Sequence, residues 1–315
     1  MSKKIAVLMG GSSLERDVSL RSGRRIARAL HELGYTVEEY DIDERLVAGL
    51  KKSRPEMVYI ALHGKFGEDG TIQEILEILD LPYTGPGVFA STIGFNKVLS
   101  KEIFKRGGIP TPDFYALSAA TFQEMGAAHL LGEVGDKLGF PLVVKPAAQG
   151  SALGVKMVGA FTELAPAVAA ALDYDEQVIL EKHVKGVEVA VSILGNRDLE
   201  ALPVVEIVPR SGFFDFEARY THGMTDYYCP ARLPEAVAAR VVEVALDTHR
   251  ALDCLNVSRV DIIVDEEETP QVLELNISPG MTETSLLPLA AQEAGMGFEQ
   301  LVGRLVELAF AKYRA

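Results

Sequence analysis

The chain has 315 residues, 48% of them hydrophobic, and no low-complexity tract, which is enough to bury the cores of two or three compact domains. Acidic residues outnumber basic ones 45 to 31, and the net charge of −14 argues against a nucleic-acid partner, because phosphodiester backbones need a basic surface. No apolar run approaches the roughly 18 to 20 residues that span a membrane, and the two cysteines, Cys229 and Cys254, offer neither a disulfide framework nor a Cys-x-x-Cys metal motif.

In chain order, Lys4 to Met9 reads as a strand and turns at once into Gly10-Gly11, so the apolar start is too short for a signal peptide and the expected compartment is the cytoplasm. A helix from about Asp17 to Leu33, strands at Thr36 to Tyr40 and Met57 to Ala61, and a helix from about Thr71 to Leu79 follow. Such alternation predicts a parallel sheet with helices on both faces, and functional loops there sit at the C-terminal ends of strands. Two loops qualify, Gly10 to Arg16 and His63 to Gly70. After the Pro82-to-Gly87 turn, a helical segment from Val88 to Arg106 leads out of a first domain.

Residues 111 to 185 read as a small α+β unit, with strands at Phe140 to Pro146, Val155 to Val158 and Gln177 to Glu181 and a helix near Thr162 to Ala171. The last part opens on the strand-like Gly186 to Leu194 and continues through an aromatic loop, a helix near Glu235 to Leu252, a hairpin, and a helix from Phe298 to Tyr313. The expected domains are therefore 1–96, 97–185 and 186–315, α/β followed by α+β.

The hairpin carries the sharpest chemical signal. Val260 to Val264 and Val272 to Asn276 read as strands joined by the turn-forming Asp265 to Pro270. Side chains alternate along a strand, so Arg259 and Asp261 share one face, as do Glu274 and Asn276. If the strands pair, three oxygen ligands and a guanidinium converge. Carboxylate and amide oxygens suit Mg²⁺ or Mn²⁺, and Mg²⁺ commonly sits on one or two carboxylates plus substrate phosphates. Charged residues closing an edge hairpin are the alternative.

Lys145 is followed by Gln149 to Gly154, small residues that can bring backbone N–H groups against phosphate oxygens while the lysine supplies charge. The order is wrong for a Walker loop, whose lysine follows its glycines and opens a helix. Standing alone, the loop also reads as a hairpin turn and Lys97 as a solvated lysine. Residues 211–228 show neither helical nor strand periodicity but hold Phe213, Phe214, Phe216, Arg219, Tyr220, Tyr227 and Tyr228, which suits an ordered lid. A metallohydrolase site built on His63, Glu68 and Asp69 lacks a further histidine at ligand spacing.

These segments together resemble the D-alanine–D-alanine ligases of the ATP-grasp superfamily. The resemblance rests on Gly10 to Ser19, His63 to Gly70, Lys145-Pro146 with Gly150-Ser151, Glu217 to Tyr220, Ser258 to Asp261, and Glu274 to Thr282 through Ser285-Leu286. It implies a Rossmann-like N-terminal domain followed by an ATP-grasp fold of two α+β subdomains. It also implies a reaction in which one D-alanine carboxylate takes the γ-phosphate of ATP and the amine of a second D-alanine displaces phosphate. Asp261, Glu274 and Asn276 would hold Mg²⁺ or Mn²⁺, two ions in all, and a monovalent cation is compatible. Lys97, Lys145, Gly150, Ser151 and Arg219 would serve the phosphates, and Glu181 and Glu188 the nucleoside. Glu15, with Ser151 and Tyr220, would hold the first D-alanine, which His63 lines; Arg259 and Gly280 would stabilise the tetrahedral oxyanion. Ser285 and the Leu286 backbone would receive the second carboxylate. Relatives imply a homodimer through the first domain, with no nucleic acid or membrane partner.

Departures from the family pattern are Ala152 for a second serine, Arg219 for lysine, His183 for an aromatic, and Ile277 after Asn276. They bear on nucleotide affinity more than on reaction type. Tyr220 favours an amine nucleophile, since relatives that make D-alanyl-D-lactate tend to carry phenylalanine on this loop.

Overall fold

The computed structural model describes residues 3–126, 128–214, 218, 221 and 223–314. The first sheet has three parallel strands, β1 (Lys4–Met9), β2 (Thr36–Asp41) and β3 (Met57–Ile60), in the order β2-β1-β3. β1 is the middle strand, and it is apolar on both faces because both are covered. Ala6 and Leu8 join a core with helix α2 (Leu46–Ser53) and helix α3 (Thr71–Ile78). Ile5, Val7 and Met9 pack the other way, onto helix α1 (Arg16–Glu32). On α1 the residues Ser19, Ser22, Gly23, Ile26, Ala27 and Leu30 form one buried stripe at helical spacing.

The helical segment expected from Val88 to Arg106 is two helices, α4 (Val88–Phe95) and α5 (Lys97–Arg106). Asn96 breaks it. Its backbone is extended, and its side-chain oxygen accepts from Val98 N at 3.0 Å and Leu99 N at 3.1 Å, an N-cap that restarts the helix on a new axis.

The second sheet contains β4 (Phe114–Ser118), β5 (Leu142–Pro146), β6 (Lys156–Val158) and β7 (Gln177–Lys182) in the antiparallel order β4-β7-β5-β6. Helices α6 (Ala119–Glu124), α7 (Ala128–Leu138) and α8 (Phe161–Leu172) accompany it, and α7 and α8 share its core. The third sheet runs β11-β10-β8-β12-β13, from β8 (Gly186–Gly195), β10 (Val205–Pro209), β11 (Thr225–Tyr228), β12 (Asn256–Asp265) and β13 (Pro270–Asn276), with β9 (Glu200–Ala201) beside β8. Thr225–Tyr228 is thus an edge strand on β10, where no strand was expected. Arg219 and Tyr220 lie outside the described residues.

Helix α9 (Glu235–Ala251) covers one face of this third sheet, together with α4 and α5. On the other side, helices α10 (Leu286–Glu293) and α11 (Phe298–Lys312) form one continuous core with α1 and the first sheet. The C-terminal helix therefore fastens the first sheet to the third. Among the described residues no helix is long and apolar enough to cross a membrane.

A Cβ on Gly23 would lie 2.5 Å from the Met9 Cβ, so glycine is what allows α1 to approach β1. Gly23→Val is expected to cost about 2 kcal/mol by overpacking. The check is a lower urea midpoint with an unchanged m-value.

Candidate active site

The hairpin forms as its alternation predicts. β12 and β13 pair with Arg259 opposite Asn276 and Asp261 opposite Glu274, and a bulge follows Asp261. The four polar side chains therefore share a face. Arg259 is bidentate on Asp261, with Nε donating to Oδ1 at 2.7 Å and Nη2 to Oδ2 at 2.8 Å. Both residues are buried. Glu274 Oε2 is 3.1 Å from the Lys97 Nζ, which also donates to the Gln149 carbonyl at 2.7 Å. Asn276 Oδ1 accepts from Ser278 N at 2.9 Å.

Lys97 is thus no solvated lysine. Standing at the start of α5, it ties the third sheet to the loop that leaves β5. One turn later on the same helix, Lys101 is fully buried, 2.7 Å from Glu181 Oε2, while the other oxygen of Glu181 is 2.5 Å from the Lys145 Nζ. Burial alone would raise the Glu181 pKa, and the two ammonium groups reverse that and hold it below its ordinary value. Lys101 escaped the sequence reading although its i, i+4 spacing from Lys97 places both on one helix face.

Lys97, Lys145, Glu181, Glu188, Asp261 and Glu274 all line a cavity of about 440 Å³ between the second and third sheets, with His183 on its wall. That volume suits a small-molecule or cofactor site. Burial lowers the pKa of His183. An ion pair that was not foreseen closes the far side, where Arg232 Nη2 lies 2.6 Å from Glu206 Oε1.

A smaller cavity of about 80 Å³ adjoins this region and is lined by Glu15, His63, Gly150, Ser151, Arg259, Asn276, Gly280, Ser285 and Leu286. Gly150 and Ser151 face this space; the loop residues on the larger cavity are Gln149 and Ala152. Glu15 is wedged between two glycines: a Cβ on Gly150 would lie 2.5 Å from its Oε2, and one on Gly64 2.6 Å. Its Oε1 accepts a very short hydrogen bond from the Ser151 hydroxyl. Its buried Oε2 has no hydrogen-bond partner among the described residues. Ser151 and Ala152 both adopt left-handed backbone, at φ 54° and 55°. Non-glycine residues seldom do so outside strained, functional turns.

His63 stands behind Glu15. Its Nε2 is 3.1 Å from the Ser22 hydroxyl and its Nδ1 is 3.5 Å from Glu68 Oε1. Ser22 Oγ accepts from Met281 N at 3.3 Å, and Arg25 Nη1 donates to the carbonyls of Met281 and Thr282. The first sheet's helix therefore grips the turn holding Gly280. There, a Cβ on Gly280 would meet Ser285 Oγ at 2.7 Å. Ser285 is the N-cap of α10 with no side-chain cap bond, and it lines the smaller cavity together with Leu286, so a helix N-terminus, which favours anions, lies at that cavity. Asp69, by contrast, accepts from Phe66 N at 2.9 Å and Thr71 N at 3.1 Å, so its carboxylate is engaged in holding the turn before α3. Among the described residues no three His, Cys, Asp or Glu side chains gather in ligand geometry. The donor set on the hairpin is two carboxylates and an amide, hard oxygens that fit a divalent cation sharing its shell with phosphates.

Three antiparallel and parallel sheets around two adjoining cavities, one sized for a nucleotide and one for a small zwitterion, define an ATP-grasp ligase architecture. Family profiles agree: that described as D-ala D-ala ligase N-terminus matches residues 44–86 and that described as D-ala D-ala ligase C-terminus matches 103–307. The chain is 45% identical over 306 residues to the D-alanine–D-alanine ligase of Moorella thermoacetica, covering 97% of this chain and 99% of that one. It is 44% identical over 310 residues to that of Anaeromyxobacter sp. strain K, covering 98% of each. Among solved structures, the D-alanine–D-alanine ligase from Bacillus anthracis complexed with ATP superposes with a TM-score of 0.84 at 33% identity and 99% coverage of both chains. The VanG D-Ala:D-Ser ligase from Enterococcus faecalis gives 0.82 at 28% identity, covering 98% of this chain and 100% of that one. The chain belongs to the D-alanine–D-alanine ligase family.

Glu68 offers a test of the site's electrostatics. Burial, joined by the neighbouring Glu15 charge, pushes its carboxyl up to about 7 against the pull of His63. A raised acid favours folding below its unfolded value of 4.5 and loses that contribution as pH climbs through about 7. Glu68→Gln is therefore expected to flatten the fall in stability between pH 5 and pH 8, read as urea midpoints at several pH values. Equal slopes in the two proteins would place the titrating group elsewhere.

Proposed function

We infer that the protein is an ATP-dependent ligase that joins two D-alanines to D-alanyl-D-alanine, a precursor for peptidoglycan. The observation that supports this most directly is the meeting of the two cavities at the Arg259-Asp261-Glu274-Asn276 face. ATP occupies the larger cavity. Its phosphates extend toward Lys97 and Lys145, and its nucleoside toward Glu181, Glu188 and His183. The first D-alanine lies in the smaller cavity with its ammonium on Glu15. The unpartnered Glu15 oxygen favours this, because a buried carboxylate oxygen left without a donor costs about 1–3 kcal/mol or more. An arriving ammonium removes that cost.

The first carboxylate then points at the γ-phosphate and attacks it, giving D-alanyl phosphate and ADP. Phosphoryl transfer asks the protein mainly for position and charge neutralisation. Asp261, Glu274 and Asn276 are the residues that would hold Mg²⁺ or Mn²⁺, whose contribution is to neutralise phosphate charge. The amine of the second D-alanine, its carboxylate seated on Ser285 and the Leu286 N–H, attacks the acyl carbon. Arg259 and the backbone at Gly280 stabilise the oxyanion before phosphate leaves. To Arg219 and Tyr220 we assign, on the family pattern, the exclusion of water from the acyl phosphate. We propose the division 1–96, 97–185 and 186–315, supported by one sheet's strands lying in each part, and a homodimer through the first domain in the cytoplasm.

Phosphate release with ATP, Mg²⁺ and D-alanine alone, with the product identified as the dipeptide, tests this reading. No dependence on D-alanine sinks it, and faster release with D-serine or D-lactate added would reassign the second substrate. Chelation is expected to abolish turnover and added Mg²⁺ or Mn²⁺ to restore it. Arg259→Ala should lower kcat by about 10²–10³-fold with nucleotide affinity nearly unchanged. Parallel losses in both would give Arg259 a role in ATP binding instead.

A further inference from the structure

Lys101 lines neither cavity, yet its buried ammonium has built polar partners. Its Nζ is 2.7 Å from Glu181 Oε2 and makes a very short hydrogen bond with the Thr111 hydroxyl, which in turn donates to the Val272 carbonyl at 2.7 Å. Val272 is on β13, two residues before Glu274. A buried lysine is expensive, and burial draws this one down from 10.5 to about 8, with Lys145 and Lys105 pulling the same way and Glu181 opposing them. It stays charged at neutral pH. The consequence lies in the count of charges. One carboxylate, Glu181, faces two ammonium groups, Lys101 on one oxygen and Lys145 on the other. The trio carries a net positive charge; Lys145 and Glu181 line the larger cavity, and Lys101 stands outside it.

We propose that Lys101 is a positioning residue for the nucleotide: it neutralises Glu181 from behind, so that the Lys145 ammonium keeps its charge for the phosphates. Without Lys101, Glu181 and Lys145 cancel each other and that pair presents no net charge to the phosphates. The proposal rests on the assignment of ATP to the larger cavity and predicts which part of ATP feels the loss. Lys101→Met keeps the length and removes the charge. ATP affinity should fall by about tenfold or more, since a unit charge within a few ångströms in a protein environment is worth that much. Adenosine, which has the nucleoside but no phosphate, should hold its inhibition constant against ATP within about threefold, having no charge to lose.

The experiment measures both constants in the intact enzyme and in Lys101→Met, with a thermal melt to confirm folding. Lys101→Gln serves the same comparison if the methionine protein does not fold. A loss confined to ATP supports the charge partition. Equal weakening of ATP and adenosine, or no change in either, overturns it and makes Lys101 a structural strut. If adenosine fails to compete with ATP in the unaltered enzyme, the fault lies with the assignment of the cavity.

Discussion

Asp261 and Glu274 stand directly opposite each other on paired strands, and like charges in that position repel. The surrounding structure supplies the cations that make this tolerable. Arg259 comes from the same strand and clamps Asp261 with two bonds. Lys97 comes from another part of the chain and reaches Glu274. Its reach depends on Asn96, whose extended backbone and capping oxygen turn α5 away from α4 and put Lys97 in the first turn facing the hairpin. The helix break is thus a requirement of the charged face, and the Lys97 contact with the Gln149 carbonyl ties the loop after β5 to the same residue.

The smaller cavity obeys a different constraint, which is space. Glu15 fills a slot in which neither Gly64 nor Gly150 has room for a Cβ, and those two glycines belong to different sheets' loops. Ser151 must enter left-handed backbone to bring its hydroxyl to Glu15. Such strain persists only when the surroundings over-determine it. Here they do so through α1, which binds the first sheet on one side and, by Ser22 and Arg25, the Met281–Thr282 turn on the other. The Glu15 pocket and the turn after Gly280 are consequently held by one helix.

What could be seen in the sequence follows from the range of the signal. Strand alternation has a period of two, so the common face of Arg259, Asp261, Glu274 and Asn276 could be derived from spacing alone, whereas the bulge after Asp261 could not. The break at Asn96 was written in the chain as a capping residue, but the apolar residues on both sides of it made one helix the simpler pattern. The strand Thr225–Tyr228 was missed for a related reason: among the described residues it is an edge strand beside β10, with no residue fully buried, so no alternation develops. Lys101 was legible only in hindsight. A lysine in a helix is ordinarily exposed, and its partner Glu181 is 80 residues away in sequence.

The net charge of −14 excludes a broad basic surface, yet the inferred substrate is a polyanion. The fold resolves this by taking its positive charge inward. Lys97, Lys101, Lys145 and Arg259 are all buried, each against a carboxylate, so the attraction acts over a few ångströms in a weakly screened space and contributes nothing at the surface. That arrangement selects a ligand small enough to enter the cavity and rejects phosphodiester chains that would need to be bound from outside. The same logic separates two kinds of specificity. The larger cavity is walled by buried ion pairs that join the second and third sheets through α5. On the assignment proposed above, the choice of second substrate would fall to the side of the smaller cavity lined by Ser285 and Leu286. A D-Ala:D-Ser ligase with the same fold at 28% identity is the outcome such a division of labour allows.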